Sequence, residues 1–173
     1  RCRKGLSSST LRSASRPITK SWPSSMRYHS PQNSTEIVAV NQCSGNSRGF
    51  FEPRMAGGQL ANGAMGCARW TGVPLKTVLD EAGLQAGAKW IVAEGADVAA
   101  LTRSIPIEKC LDDAMLVYSQ NGERLRPQQG YPLRLLLPGF EGNMNVKWLR
   151  RLKVTAEPAY SREETSKYTD PMP

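Results

Sequence analysis

Cys43 closes an apolar stretch and leads straight into a polar turn, in the segment NQCSGNSRG of residues 41 to 49. Ser44, Gly45 and Asn46 offer backbone N–H groups there and Arg48 a cation, surroundings that favour a thiolate. A thiolate in such a turn suits a soft metal or serves as a nucleophile. A free cysteine packed at a strand end is the competing reading. The nucleophile needs a base, and His29, the only histidine of the chain, lies in its least patterned segment.

Basic residues stand beside the glycine turns. Arg69 precedes Trp70 and Gly72, Arg103 precedes Ser104, Arg134 lies in YPLRLLL, and Lys147 precedes Trp148 just after GFEGN. Arg134 is the most informative, because a guanidinium among leucines is costly unless it is exposed or meets an anion. The solvent face of an edge strand would satisfy it equally. Tyr118 ends a strand beside Ser119 and Asn121-Gly122, where a phenol can donate to a developing oxygen anion or simply cap the core.

The glycine-rich stretches GGQLANGAMG (57 to 66) and GFEGNMN (139 to 145) leave amides open to close approach by a ligand. Neither is a phosphate loop or a dinucleotide fingerprint. Adjacent acids, Asp112-Asp113 and Glu163-Glu164, point apart rather than converge on one bond, and H-E-x-x-H and G-x-S-x-G do not occur. The residues by themselves therefore describe a domain for a phosphorylated or otherwise anionic cofactor, with one thiolate attached.

The elements that must position these groups can be read in outline. IVAV (37 to 40) reads as a buried strand, and residues 41 to 74 as a long connection with glycines at 45, 49, 57, 58, 63 and 66. LKTVLDEAGL spaces Leu75, Val78, Leu79 and Ala82 for a short helix between Pro74 and Gly83. KWIVA is a strand, and PIEKCLDD a helical turn opened by Ser104 and Pro106. A strand over 114 to 118 meets the Asn121-Gly122 hairpin signal. YPLRLLL (131 to 137) and VKWLRRLKV (146 to 154) are further strands. The order predicts an α+β domain with a mixed sheet.

Charge and cysteine usage narrow the class. The net charge of +8 on 173 residues is concentrated in the Ser-rich head of residues 1 to 35, which carries seven Lys/Arg and no acid; residues 36 to 173 carry 16 basic and 15 acidic residues. A nucleic-acid face needs its excess on a folded surface, so no nucleic-acid partner is expected. The head has too little apolar content to order itself and reads as disordered. Cys2, Cys43, Cys67 and Cys110 are spaced 41, 24 and 43 residues apart, without a C-x-x-C pair for zinc or redox work. No membrane span and no signal peptide are evident.

Laid side by side, QCSGNSR, GAMGCARWTGVPLKTVL, TRSIPIEKCLDD, YSQNGERL, GYPLRLLLPGFEGN and VKWLRRLKV resemble the molybdenum-cofactor domain of the sulfite oxidase family, from about residue 36 to 173. ETSKYTD and the NM of EGNMNVKWL resemble its sulfane dehydrogenase branch. The resemblance implies a sulfite-oxidase-type molybdopterin-binding domain with mixed β-sheets and short helices, incomplete at the N-terminus. It implies molybdenum and molybdopterin as cofactors and oxidation of a reduced sulfur at the metal. Cys43 matches the cysteine that binds molybdenum beside the pterin dithiolene, Arg48 an arginine of the anion pocket, and Tyr118 the active-site tyrosine. Arg134 and Lys147 resemble the residues that hold the pterin phosphate and ring, with Ser44, Arg103 and Ser104 as neighbours.

Partners follow from the same resemblance. Electrons would leave singly to a c-type cytochrome subunit, since no C-x-x-C-H occurs in the chain. The substrate would be sulfane sulfur on a carrier protein or a small sulfur oxyanion, in the periplasm. Gln129 replaces the usual histidine of sulfite oxidases, which favours the sulfane branch over sulfite, and Cys67 replaces an asparagine. Residues 1 to 35 do not resemble the upstream part that supplies an arginine and a histidine. The immunoglobulin-like C-terminal domain through which the family dimerises is expected to be absent. The expectation is that this chain alone binds cofactor poorly or is inactive.

Overall fold

The computed structural model describes residues 33 to 168. The expected disorder of the head, with His29 and Cys2, falls outside them, apart from its last residues; Thr35 already belongs to the first strand. Eight strands and three short helices follow in the order β1 (Thr35–Gln42), β2 (Met65–Pro74), α1 (Leu75–Ala82), β3 (Trp90–Gly95), β4 (Thr102–Pro106), α2 (Ile107–Asp112), β5 (Met115–Gln120), β6 (Glu123–Arg124), β7 (Arg134–Leu136), β8 (Leu149–Thr155) and α3 (Arg162–Ser166). The α+β class stands, and every strand pair among the described residues is antiparallel.

One sheet runs β1-β2-β5-β6, with β7 also on β5, and the other runs β4-β3-β8. β5 is shared along one edge: Met115 to Val117 pair with β7, while Ser119 and Gln120 pair with β6 across the Asn121-Gly122 turn. Both turn residues have positive φ, 53° and 82°, which is what makes Asn-Gly the favoured hairpin dipeptide. Beside it, Gly72 sits at a β2–β5 irregularity, where a Cβ would stand 2.3 Å from the Leu116 carbonyl oxygen. Only glycine lets the two strands approach this closely.

The main core joins the two sheets through the helices. Leu75, Val78 and Leu79 of α1 and Ile107 and Cys110 of α2 pack with Ile91, Ile105, Leu116, Leu135, Leu137 and Val146. Burial of each such aliphatic side chain contributes about 1.5 to 3 kcal/mol. A second cluster, Ala68, Trp70, Met115, Val117, Leu125 and Leu136, lies on the other face of the first sheet. β5 and β7 are thus covered on both faces, which explains why MLV and RLL show no alternation.

Several expected boundaries move. IVAV is a strand but not a buried one: Val38 is 69% and Val40 50% exposed, because among the described residues only the Ile37 and Ala39 side of β1 has a core to meet. The last ten residues of the long connection are β2, whose glycines and Pro74 had masked its alternation. Ser104 belongs to β4, so α2 starts only after Pro106. The strand within YPLRLLL shrinks to Arg134–Leu136, and the one within VKWLRRLKV starts at Leu149. No helix among the described residues is long and apolar enough to cross a membrane.

Candidate functional site

Cys43 follows directly on β1 and is exposed. Its own N–H donates to the Ala64 carbonyl at 2.9 Å, its carbonyl accepts from Asn46 N–H at 3.0 Å, and its sulfur accepts from Gly45 N–H at 3.3 Å. The Asn46 side chain returns to Ala64 N–H at 2.9 Å, so both ends of the 43–64 loop are tied together. Arg48 folds back onto the same turn: its Nη1 donates to the Gly58 carbonyl at 3.3 Å, and a Cβ on Gly57 would lie 2.5 Å from it. Arg48 thus lies against Gly45, Gly57 and Gly58 of the loop that follows Cys43. Cys110 is the contrast, a fully buried thiol pushed up to about 12 by burial and by the charge of Glu108.

A cavity of 430 Å³ opens at Cys43, Ser44, Ala64 and Met65, and also touches Asn41, Gly142, Asn143 and Tyr168. Those last four line a second cavity of 470 Å³ as well, which reaches Trp70, Asp97, Gln129, Arg134, Asn145, Lys147 and Trp148. Asn41, Gly142, Asn143 and Tyr168 form the throat between the two. Gly142 is needed there, since a Cβ would come within 3.0 Å of Asn41 Oδ1 and the Gln42 carbonyl oxygen. The two cavities adjoin across these four residues and are taken together as one groove, with the thiol at one end and the cationic residues at the other.

Arg134 is only 4% exposed, so the solvent-facing reading fails. Its Nη1 donates to the Gln129 carbonyl at 3.0 Å and its Nη2 to the Asn145 carbonyl at 3.4 Å, and the guanidinium carbon lies 4.9 Å from the Trp70 ring centre. No carboxylate pairs with it among the described residues, and Nε has no hydrogen-bond partner. Burial holds it down at about 10. Lys147 is likewise held below the usual amine range, by burial and then by the charge of Arg134, against the pull of Asp97. Two cations so placed raise the potential of the cavity and favour an anion.

The turns hold these cations in place. Gly130, at φ 105°, leaves room for the chain of Lys147, whose Cβ would be 2.9 Å from an added methyl group, and for Arg134 Cβ at 3.2 Å. Lys147 Nζ donates to the Gln128 carbonyl at 2.9 Å and Trp148 Nε1 to the Pro127 carbonyl at 2.8 Å. Asn145, which was not singled out from the sequence, is the buried organiser: Oδ1 accepts from Leu137 N–H at 2.7 Å and Nδ2 donates to the Glu141 carbonyl at 2.8 Å.

The remaining expected site residues are distributed differently. Arg103 is buried behind the groove, with Nε on Met144 Sδ at 2.8 Å, Nη1 without a partner, and its guanidinium 5.3 Å from the Tyr168 ring centre. Ser104 is engaged elsewhere: its N–H and hydroxyl meet the Glu164 carboxylate, and its oxygen accepts from Ala159 N–H at 2.8 Å. Tyr118 is half-buried in β5 and is not among the residues lining either cavity. Cys67 and Gln129, noted as departures, both line the cationic cavity. Among the described residues no group of three or more His, Cys, Asp or Glu side chains converges to hold a metal.

Unpartnered buried guanidinium nitrogens, glycine-cleared space and a lysine on one side, with an exposed thiol at the far end, fit a cofactor that carries a phosphate and a thiol-seeking metal. Molybdopterin has that chemistry: Arg134 and Lys147 would hold its phosphate, the amide-lined throat its polar ring, and Cys43 its metal.

Comparisons with known proteins point to the same cofactor. The family described as oxidoreductase molybdopterin binding domain matches residues 14–163, starting upstream of the point from which the sequence resemblance was drawn. The chain is 37% identical over 144 residues to the NADH nitrate reductase of Petunia hybrida, covering 74% of this chain and 16% of that protein. It is 35% identical over 142 residues to the mitochondrial sulfite oxidase of Drosophila melanogaster, covering 76% and 25%. The crystal structure of the sulfane dehydrogenase SoxCD from Paracoccus pantotrophus superposes with a TM-score of 0.73 at 46% identity, covering 81% of this chain and 36% of that one. The chain therefore spans a small part of these relatives' length, and within that part it belongs to the molybdopterin-binding oxidoreductases of the sulfite oxidase family.

Proposed function

We infer that the chain forms the pterin-binding part of a molybdenum oxidoreductase acting on reduced sulfur, with sulfane sulfur on a carrier protein as substrate. One observation carries the reading: a buried arginine without a carboxylate stands at one end of a groove whose other end is an exposed cysteine. When bound, the cofactor supplies a metal that takes electrons from sulfur. Cys43 would hold it through a thiolate, with the Gly45 N–H keeping that sulfur oriented. Arg48, on the same turn, attracts an anionic substrate and stabilises oxygen charge on the product. Arg134 and Lys147 neutralise the phosphate. Tyr118 is assigned the support of negative charge near the metal on the resemblance alone. A c-type cytochrome takes the electrons, and the periplasm is the proposed location.

The 46% identity with the sulfane dehydrogenase, together with Gln129 in the cationic cavity, favours a sulfane substrate. Sulfite is the second reading, favoured by the similarity to sulfite oxidases. Purification from a host that makes the cofactor tests the first claim: the cationic cavity favours molybdenum and pterin at one per chain, in place of the poor binding expected from the sequence alone, and their absence would refute it. Reduction of cytochrome c by a protein-bound persulfide and not by free sulfite is expected; the reverse preference would establish sulfite instead.

A further inference from the structure

Tyr168 is delivered to the throat of the groove by an unusual number of ties for a residue beyond the last helix. α3 begins with a capping box in which Ser161 and Glu164 satisfy each other's backbone N–H groups. The same Glu164 carboxylate accepts from the N–H and hydroxyl of Ser104 in β4, and the Ser161 hydroxyl donates to the Thr102 carbonyl at 2.7 Å. α3 is thereby fastened to the second sheet. Glu163, buried and held below the usual carboxylate range despite that burial by Arg162 and Arg103, accepts through its carbonyl from Tyr168 N–H at 2.9 Å. The Tyr168 ring then meets the Arg103 guanidinium at 5.3 Å and lines both cavities while remaining 41% exposed.

A tyrosine that only packed the core would not line two cavities across their shared opening. Its backing is a buried cation whose Nη1 has no hydrogen-bond partner and which forms no ion pair with a carboxylate among the described residues. We propose that Tyr168 is a clasp across the throat, a positioning residue that retains the pterin cofactor by lying over it, with Arg103 holding the ring. The clasp acts through the face of the ring rather than through its hydroxyl. This rests on the cofactor reading given above.

The test measures cofactor release from the full 173-residue chain purified with its cofactor, following molybdenum and pterin left on the protein after dilution and gel filtration. Tyr168→Leu releases pterin about tenfold faster than the parent, the scale of a partly exposed cation–aromatic contact, with unchanged far-ultraviolet circular dichroism. Tyr168→Phe keeps the parent's rate. Equal release from Tyr168→Leu and the parent, or fast release from Tyr168→Phe, overturns the clasp and leaves the cofactor reading in place. A parent chain that carries no pterin at all overturns both.

Discussion

The two ends of the groove are built on opposite principles. At the Arg134 end the charged group is buried, its neighbours are fixed by Asn145 and Gly130, and backbone carbonyls meet only part of its hydrogen-bonding capacity. At the Cys43 end the thiol is exposed and stands on a loop whose ties are mainly backbone hydrogen bonds. The difference separates affinity from chemistry. A preorganised, dehydrated cation binds an anion strongly because little remains to be rearranged. An open thiol leaves room for substrate to come and go.

This contrast gives a ranked set of expectations. Arg134→Met strikes the binding end hardest. Losing charge-assisted hydrogen bonds worth about 1.5 to 3 kcal/mol each lowers cofactor retention about a hundredfold or more, measured as pterin per chain after dialysis. Retention equal to the parent's would dissolve the distinction between the ends. Gly130→Ala works on the same end through the backbone: the added methyl group meets Lys147 at 2.9 Å with φ at 105°, and a loss of about 2 kcal/mol in urea unfolding is expected. No loss would mean that the turn is not what places the two cations.

Glu94 gives a smaller effect, away from both ends. It is buried in the second sheet and held below its ordinary value of 4.5, because the hydrogen bonds and charges of Arg151 and Arg150 outweigh its burial. A depressed carboxyl contributes stability that is complete above 4.5 and lost as pH falls through the folded value. Both arginines are more than half exposed, so Glu94→Gln costs only about 1 kcal/mol at pH 7. The gap to the parent closes as urea midpoints are followed below pH 4.5, and a gap that widens in acid would contradict the pairing. Smallest of all is the effect of Cys43→Ser on folding of the cofactor-free chain, within about 0.5 kcal/mol, since the side chain is exposed. A large loss would turn Cys43 into a packing residue.

What was legible in the sequence follows physical range. Cys43 with Arg48 could be read because the turn that unites them is local. Arg134 stood out because a cation among leucines demands an explanation wherever the strand lies. Ser104 could not be read, since Glu164, which takes its hydroxyl, is 60 residues away and becomes its neighbour only when α3 meets β4. Asn145 and Tyr168 lie in segments that stood out, GFEGNMN and ETSKYTD, but their roles could not be read for the same reason. The IVAV strand was legible as a strand, yet its burial depends on what covers the face, which periodicity does not report. TRSIP hid β4 because Ser104 and Pro106 read as the opening of a helical turn, a local signal that tertiary pairing with β3 overrides.

The central claim is that Cys43 gives its sulfur to a metal held by the cofactor in this groove. X-ray absorption at the molybdenum edge on the purified chain and on Cys43→Ser tests it most directly. One sulfur neighbour fewer in the variant, with pterin still bound at the Arg134 end, is the expected result. An identical sulfur shell in the two proteins would contradict it.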